Sequence, residues 1–431
     1  MINIIQHGII AVTTLLYVKE TIMTDIMHTT FWNYNDFVNY NPQMLRDWVE
    51  LGITTPIAPR FRWGKDSNEA MLAMLDDAQA LGVRLILQVN TVDVYQYSKG
   101  ADVLRAATEE VHAVFGSHPA FYGYYVGEEP SDVTQEYYME GAKIIKEVAP
   151  NAVLYMNFGS IERTERVMIK GEYSIDSWIE KYKEYTGSDV IGFGIYSGLF
   201  RDNSGSFEHF YNIRTFVEAA KKCDVDVWAT MLSSAHDYYR VPTEDDYRWQ
   251  LNTCMACGCK GVVWFRLYDK LVASDYRGSP IDEFGVKTPH FYDMARVQKR
   301  FNIHYGKIMA DLKHIDAYGV GVSYGGYSYF TNDVPAGIGI IDSADCRSGM
   351  LSFFKDKDGN DYVVILNTHT TESYHMTLTY APEVARADFV YHNGAQLNAN
   401  FVRKEGQTGP AKGQSVCLAP GMIELIKITK A

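Results

Sequence analysis

Two adjacent carboxylates, Glu128 and Glu129, end a short apolar run that begins at Gly123. Pro130 follows them directly and stops the strand that the run predicts. Carboxylates at the C-terminal tip of a strand, with a helix next, are what a parallel α/β barrel presents to a substrate. The pattern therefore predicts a site for acid chemistry, and the alternative is a solvated acidic loop.

Size and composition limit the classes of function. The 431 residues suit a barrel of roughly 250 residues plus one further module. A net charge of −13, with no basic run to offset it, argues against nucleic acid or an anionic membrane as the partner. The 31 Tyr, 20 Phe and 7 Trp can fill a core, but in a cleft their flat faces and polar edges suit sugar rings.

The six cysteines do not form a disulfide scaffold in a chain of this length. Cys254, Cys257 and Cys259 have a metal-like spacing, but no second Cys/His pair lies nearby at ligand spacing. We therefore expect buried thiols that pack a helix against a strand. We predict no structural metal and no cofactor.

Residues 1–24 are predicted to be an extension outside the barrel. The apolar patch 9–18 is too short to cross a bilayer, and it lacks a basic region before it and a small-residue cleavage site after it. The expectation is therefore a cytoplasmic protein, and a translation start at Met23 or Met27 stays open.

From residue 25 to 315, strand-like runs alternate eight times with helical stretches. This alternation predicts an α/β fold of the (β/α)8 TIM-barrel type. A doubly wound sheet would also alternate, but no glycine-rich phosphate turn follows the first strand. The predicted strands are 26–32, 54–60, 83–89, 121–126, 152–157, 190–195, 225–232 and 261–267. The predicted helices are 42–51, 67–81, 101–115, 134–148, 175–185, 207–223, 244–257 and 289–312.

From residue 316 to 431 the pattern changes to alternating apolar residues with many Tyr, Gly and Thr. Asp358-Gly359-Asn360 is a hairpin signal. We predict a small all-β C-terminal domain, an antiparallel sandwich, packed against the barrel in a fixed interface.

Several segments together resemble one family. They are His118 to Tyr125 leading into Glu128-Glu129-Pro130, Tyr155 to Phe158, Asp189 to Tyr196, Tyr239 to Gln250 and Gly258 to Phe265. Nearly everything after residue 25 resembles the clan-A-like glycoside hydrolases, the beta-galactosidase-like (β/α)8 enzymes, and the C-terminal module looks like those appended to such enzymes.

The resemblance implies roles for the acidic pair. The family's fourth strand ends in Asn-Glu-Pro, in which Glu is the general acid/base. By position Glu129 takes that role and Glu128 replaces the Asn. Adjacent carboxylates also oppose each other's ionisation, which suits a proton donor near neutral pH.

The sequence departs from the family at the tip of the seventh strand. Retaining members carry a nucleophilic Glu there, whereas the segment Trp228 to Tyr239 has none. Three alternatives could replace the missing nucleophile. Asp237 acts as the nucleophile, a carboxylate from another loop does so, or a water molecule attacks directly in one inverting step. Loss of catalysis is the remaining reading.

Other strand tips supply candidate sugar ligands, each weighed against a structural role. Trp264 is the preferred stacking platform, and Asp269 could instead pair with Arg266. The full set of substrate-binding candidates is Trp32, Asn33, Arg60, Asn157, Tyr196, His236, Trp264, Arg266 and Asp269. Spare acids on neighbouring loops are Asp93, Glu162, Glu165 and Asp202.

The sequence thus predicts a glycoside hydrolase that acts on a β-linked sugar or oligosaccharide, with Glu129, Glu128 and Asp237 as catalytic residues. The alternative is a glycan-binding TIM-barrel pseudoenzyme. The partner is a carbohydrate, and the sequence assigns neither the sugar nor the oligomeric state.

Overall fold

The computed structural model describes residues 26–165, 174–200, 204–270, 275–331, 340–343 and 347–431. The predicted extension 1–24 and Asp202 lie outside these residues.

A curled sheet of seven parallel strands forms the first part of the described chain. Its strands are β1 His28–Phe31, β2 Leu85–Leu87, β3 Phe121–Glu128, β4 Val153–Asn157, β5 Val190–Gly194, β6 Asp226–Leu232 and β7 Gly261–Phe265. Their order is β1-β7-β6-β5-β4-β3-β2, so β1 and β2 are the two ends of the sheet. This is the predicted TIM barrel, with its strand tips at one mouth.

The segment 54–58 closes the barrel between β1 and β2. The backbone N–H groups of Thr54 and Thr55 both donate to the Thr29 carbonyl, at 3.1 and 3.0 Å. On the other side Ala58 N donates to the carbonyl of Ile86 at 2.8 Å. The prediction of a regular strand over 54–60 was wrong, because Pro56 and Pro59 have no N–H to continue a ladder.

Helices cover the outside of the sheet. They are α1 Pro42–Leu51, α2 Asn68–Leu81, α3 Ala101–Phe115, α4 Gln135–Val148, α5 Ile175–Thr186, α6 Ser206–Lys221, α7 Glu244–Ala256, α8 Pro289–Phe301 and α9 Lys307–Asp311. A one-turn segment, Ile161–Arg163, lies between α4 and α5.

Local capping explains these bounds. Thr243 caps α7 in a reciprocal capping box with Asp246. Gly52 and Gly82 end α1 and α2 in the left-handed conformation. The single helix predicted over 289–312 is instead interrupted between α8 and α9 by the π-helical turn Asn302–Gly306.

The C-terminal part is all-β, as predicted. Its strands are β8 Lys313–Val320, β9 Ile340–Ser343, β10 Gly349–Lys355, β11 Asp361–Asn367, β12 Tyr374–Met376, β13 Leu378–Tyr380, β14 Val384–Tyr391, β15 Gln396–Val402, β16 Ala411–Lys412, β17 Val416–Leu418 and β18 Ile423–Lys430. A six-stranded antiparallel sheet in the order β15-β14-β18-β11-β10-β8 packs with two smaller sheets around its own apolar core. The predicted hairpin joins β10 to β11. The boundary at 316 stays a prediction.

Buried hydrogen bonds join the barrel to the sandwich. On α7, the Trp249 indole N–H donates to the Thr368 carbonyl at 2.8 Å, and Asn252 Nδ2 donates to the Gly421 carbonyl at 2.8 Å. Within the barrel, the Lys260 ammonium, just before β7, donates to three carbonyls at the end of α9, next to the first strand of the sandwich, those of Met309, Ala310 and Leu312. Paired buried polar groups of this kind fix one geometry between two packed bodies.

Gly421 offers a test of this interface. Its φ is +63°, and an added Cβ would lie 2.3 Å from the Trp249 Cα. Gly421→Ala should lower the free energy of unfolding well beyond the roughly 1–2 kcal/mol that a left-handed alanine costs, because backbone must also move. Gly359→Ala is the matched control, since Gly359 has φ +81° and open space around it. Equal losses in urea unfolding of the two variants would contradict the tight interface.

Candidate active site

The acidic pair lies at the tip of β3. The register between β3 and β4 shifts between Tyr125 and Gly127, as in a β-bulge, and Glu128 then pairs with Asn157. Bulges of this kind re-aim side chains beside active sites. The Glu129 N–H donates to the Asn157 carbonyl at 2.6 Å, so the backbone at the pair is held to the next strand.

Glu129 adopts an unusual backbone conformation. Its φ is 47°, in the left-handed region that costs a non-glycine residue energy. Asp237, a further predicted catalytic acid, has the same φ of 47°. Strained residues of this kind concentrate at functional sites, where the surroundings hold them in place. Both side chains are exposed to the mouth of the barrel rather than packed in the core.

A cleft of about 500 Å³ opens beside Glu129. Three further carboxylates line it, those of Glu162, Glu165 and Glu208. Its other lining residues are Ser160, Ile161, Gly194, Ile195, Tyr196, Ser197, Phe200, Tyr211, Asn212, Tyr238 and Tyr239. The cleft therefore combines acids with aromatic rings, and Asp237 is not part of its lining.

The prediction that Trp264, near the tip of β7, stacks on a sugar ring was wrong. Its side chain is 0% exposed, and its indole N–H donates to Gln298 Oε1 on α8 at 3.0 Å. Trp264 therefore packs between the sheet and the helices. Because side chains alternate along a strand, the neighbouring Phe265 faces the inside of the barrel mouth.

Phe265 is the centre of an aromatic cluster at the mouth. Its ring centroid lies 6.0 Å from that of Tyr34, 5.6 Å from Tyr196, 5.3 Å from His236 and 6.3 Å from Tyr276. These rings come from the segments after β1, β5 and β6 and from the loop after β7. Rings at such spacings attract one another and hold a shared surface.

The tyrosines of the mouth stay protonated. Burial, followed by the charge of Glu128, raises the pKa of Tyr34. Burial also raises the pKa of Tyr196 well above its ordinary value, and the charge of Glu129 adds to the shift. Neutral hydroxyls can donate hydrogen bonds to a ligand, whereas a phenolate nucleophile is disfavoured here.

The loop after β6 carries His236 and Asp237. The His236 ring is buried and stacks on Tyr276 at 5.0 Å with 8° between the planes. Burial lowers its pKa, although the charges of Asp237 and Asp275 oppose the shift. His236 is therefore a neutral ring that forms one wall of the mouth.

Residues after β1 have mixed roles. Asn33 is 2% exposed, its Nδ2 donates to the Ile57 carbonyl at 2.9 Å and its Oδ1 accepts from Asn35 N. The prediction that Asn33 binds substrate was wrong, because its amide holds the closing segment. Trp32 is buried beneath the mouth, and Arg60 pairs with Asp36 at 3.2 Å.

Two remaining candidates differ in availability. Asn157, at the tip of β4, is 4% exposed, and its Oδ1 has no hydrogen-bond partner among the described residues. Such a buried acceptor is costly unless a ligand or water satisfies it. Asp269 is partly buried and accepts the Ser279 N–H at 3.2 Å, so its carboxylate holds a loop. Burial raises its pKa.

Sequence reasoning missed Tyr34, Glu208, Phe265 and Tyr276. The signal for Phe265 was strand alternation, which separates it from Trp264. Glu208 is on the first turn of α6 and Tyr276 follows β7 by a long loop. No local pattern marks either of them as facing the mouth.

The cysteines and other metal-binding residue types form no candidate metal site among the described residues. Cys254, Cys257 and Cys259 are buried free thiols, as expected from the sequence. Within the described ranges, no group of three or more His, Cys, Asp or Glu side chains could hold a metal ion. Among the same residues, no helix has both the length and the apolar character needed to cross a membrane.

Known structures share this fold. No protein-family model and no curated protein sequence matches the chain. A family 39 glycoside hydrolase from the gut symbiont Bacteroides cellulosilyticus WH2 is similar with a TM-score of 0.53 at 10% identity, over 94% of this chain and 81% of that one. This likeness spans both the barrel and the β-domain, and it shows the fold.

Two further similar structures have lower scores. A glucosidase from Croceicoccus marinus has a TM-score of 0.48 at 12% identity, over 95% of this chain and 96% of that one. A beta-galactosidase from the psychrophilic Marinomonas ef1 has a TM-score of 0.49 at 10% identity, over 64% of this chain. The match spans 60% of the length of the Marinomonas enzyme.

The lowered pKa of His236 predicts a pH effect on stability. The unfolded chain binds a proton at His236 at a higher pH than the folded chain does. The contribution of the neutral ring to the free energy of unfolding is therefore fully present above about pH 6.5 and is lost as the pH falls below that value. The stability difference between wild type and His236→Gln should therefore favour wild type more at pH 8 than at pH 5. Urea unfolding at both pH values measures it, with His375→Gln at an exposed position as control. A pH-independent difference would argue against a buried neutral imidazole.

Proposed function

We propose that this protein is a glycoside hydrolase that cleaves a β-linked sugar or oligosaccharide. The observation that carries the proposal is the position of Glu129, at the tip of β3 and beside a cleft at the barrel mouth. Active sites of TIM-barrel enzymes lie at this face. The likeness to the family 39 glycoside hydrolase supports the fold on which the proposal rests.

Glu129 is proposed as the general acid. Its carboxyl group would protonate the leaving glycosidic oxygen, since it opens into the cleft while its backbone is fixed by the hydrogen bond to Asn157. Glu128 is the neighbouring carboxylate at the same strand tip and would accept a hydrogen bond from a sugar hydroxyl. The strained φ of Glu129 is consistent with a side chain that is aimed for a task rather than for packing.

The second carboxylate comes from one of two places. Asp237 follows β6, the position closest to that of the family's nucleophile. Glu162, Glu165 and Glu208 line the same cleft as Glu129. Each could activate water or attack the anomeric carbon, and the separation from Glu129 then sets the stereochemical outcome.

The aromatic cluster would bind the sugar ring. Phe265 offers an apolar surface, and the hydroxyls of Tyr34 and Tyr196 are neutral donors beside it. The Oδ1 of Asn157, which accepts no hydrogen bond from the part of the chain that the structure describes, would accept one from a sugar hydroxyl. Such a mixture of apolar faces and few polar groups is typical of small-molecule sites.

A second candidate function is glycan binding without hydrolysis. The specific observation in its favour is the tip of β6, where residues 233–236 carry no carboxylate. This reading keeps the cleft and the aromatic cluster and removes only the chemical step.

Glu129→Gln tests the acid role. With aryl β-glycosides that have a poor leaving group, kcat/KM should fall by about 10² to 10⁴, the range of general acid catalysis. With a strongly activated leaving group, which needs no proton, the loss should be much smaller. Glu136→Gln on the exposed first turn of α4 is the control and should not change either rate. Turnover that survives Glu129→Gln for every leaving group would remove Glu129 from the mechanism.

A set of four variants identifies the second carboxylate. Asp237→Asn, Glu162→Gln, Glu165→Gln and Glu208→Gln are compared, and the variant of the true partner should lose activity even on activated glycosides. Added azide should restore turnover in that variant alone, and NMR of the first-formed product gives the stereochemistry. If all four variants keep full activity, the second carboxylate lies elsewhere. If wild type binds glycans without turning over any glycoside, the binding function is correct.

A further inference from the structure

Arg266 is a buried cation that forms no ion pair with the residues that the structure describes. It follows β7 directly, and the residue is 7% exposed. Its Nε donates to the Tyr268 carbonyl at 2.5 Å. Among the described residues, no carboxylate forms an ion pair with its guanidinium. Arginines are seldom buried this far without a paired anion, because the lost hydration has to be offset.

Two tyrosines hold the guanidinium at the mouth. Its carbon lies 4.9 Å from the Tyr34 ring centroid and 5.5 Å from that of Tyr276. Both rings belong to the aromatic cluster around Phe265. These cation–π contacts fix the side chain at the wall of the proposed sugar site, and they offset only part of the cost of burying its charge.

A second cation lies on the same wall. The Lys270 ammonium lies 3.9 Å from the centroid of the Tyr276 ring, on which Arg266 also packs. Asp269, between the two in sequence, contributes charge near Arg266, but its carboxylate accepts the Ser279 N–H. The charge of Asp269 thus acts on Arg266 from nearby, but the two side chains form no ion pair among the described contacts.

Tyr34 separates these cations from the acidic pair. The charges of Glu128 and Glu129 both act on the Tyr34 hydroxyl, and Arg266 acts on it with the opposite sign. The acidic pair ends β3 and Arg266 follows β7, two strands on opposite sides of the closed barrel, and Tyr34 lies near both. A ligand bound over Phe265 meets opposite charges at its two ends.

We propose that Arg266 and Lys270 form an anion-binding subsite, and that the substrate sugar carries a carboxylate or a sulfate ester. The inference rests on the proposed glycosidase function and adds the class of sugar to it. A guanidinium can hold either group with two parallel hydrogen bonds, and burial beside aromatic rings strengthens the pairing. The anion would point toward β7, away from Glu162, Glu165 and Glu208, which would repel it.

Matched ligands test the subsite. Binding of methyl β-glucuronide is compared by calorimetry with binding of methyl β-glucoside, which has a hydroxymethyl in place of the carboxylate. A sulfate monoester of the glucoside is the third ligand and distinguishes the two anions. Wild type should bind at least one anionic ligand about 10- to 100-fold more tightly than the glucoside, the range expected for hydrogen bonds between charged groups.

Arg266→Met and Lys270→Met should each remove this preference by weakening binding of the anionic ligands far more than binding of the neutral glucoside, since they delete charge and keep an apolar stem. Arg277→Met, an exposed cation on the same loop, is the control and should keep the preference. If Arg266→Met fails to fold, Lys270→Met carries the test, because Lys270 is only partly buried. Tighter binding of the neutral glucoside by wild type, or equal weakening of all ligands by both variants, would overturn the inference.

Because binding is measured without turnover, the two proposals can fail separately. An anion preference that depends on Arg266 in a protein that hydrolyses no glycoside would leave the subsite standing and remove the hydrolase function. Hydrolysis of neutral glycosides at rates that Arg266→Met does not change, in a protein that shows no preference for anionic ligands, would support the hydrolase function and remove the anion-binding subsite.

Discussion

The site depends on closure of the parallel sheet between β1 and β2. Strand tips meet at one mouth only if the two ends of the sheet are joined. Here the join is made by an irregular segment whose two threonine N–H groups share the single carbonyl of Thr29. The Asn33 side chain adds a further hydrogen bond to this segment, at Ile57. Asn33, a polar residue at a strand tip, thus helps to keep the barrel closed, while other strand tips carry the residues proposed for chemistry.

Much of the architecture could be predicted because local signals agree with the global fold. Helix starts at Pro42 and Thr243, and helix ends at Gly52 and Gly82, follow from capping chemistry alone. Alternation of strands and helices then gives the barrel. The prediction of a strand over 54–60 was wrong because it relied on the apolar residues of this segment, although Pro56 and Pro59 have no N–H groups for a strand ladder.

The site was harder to predict for a physical reason. Strand β7 is apolar throughout, so the sequence does not show which of two adjacent aromatic residues faces inward. Glu129 could be found because a strand tip and a proline mark it. Tyr34 and Tyr276 could not be found, because their importance comes from contacts with Arg266 and Phe265 that only tertiary structure creates.

The mouth is electrically divided. Neutral tyrosines lie between carboxylates on the side of β3 and cations on the side of β7. Because burial keeps these hydroxyls protonated, they can donate to a ligand without adding charge of their own. A polar but uncharged middle between two opposite walls would favour one orientation of a bound molecule over its reverse.

Lys260 ties the base of β7 to the end of α9. Its ammonium satisfies three carbonyls where α9 gives way to the β-domain, and the next residue begins the strand that carries Phe265. The β-domain itself accepts two hydrogen bonds from α7, so exchanging it for that of another protein would not be neutral for the barrel. A chimera would have to supply its own acceptors for the Trp249 indole N–H and the Asn252 amide.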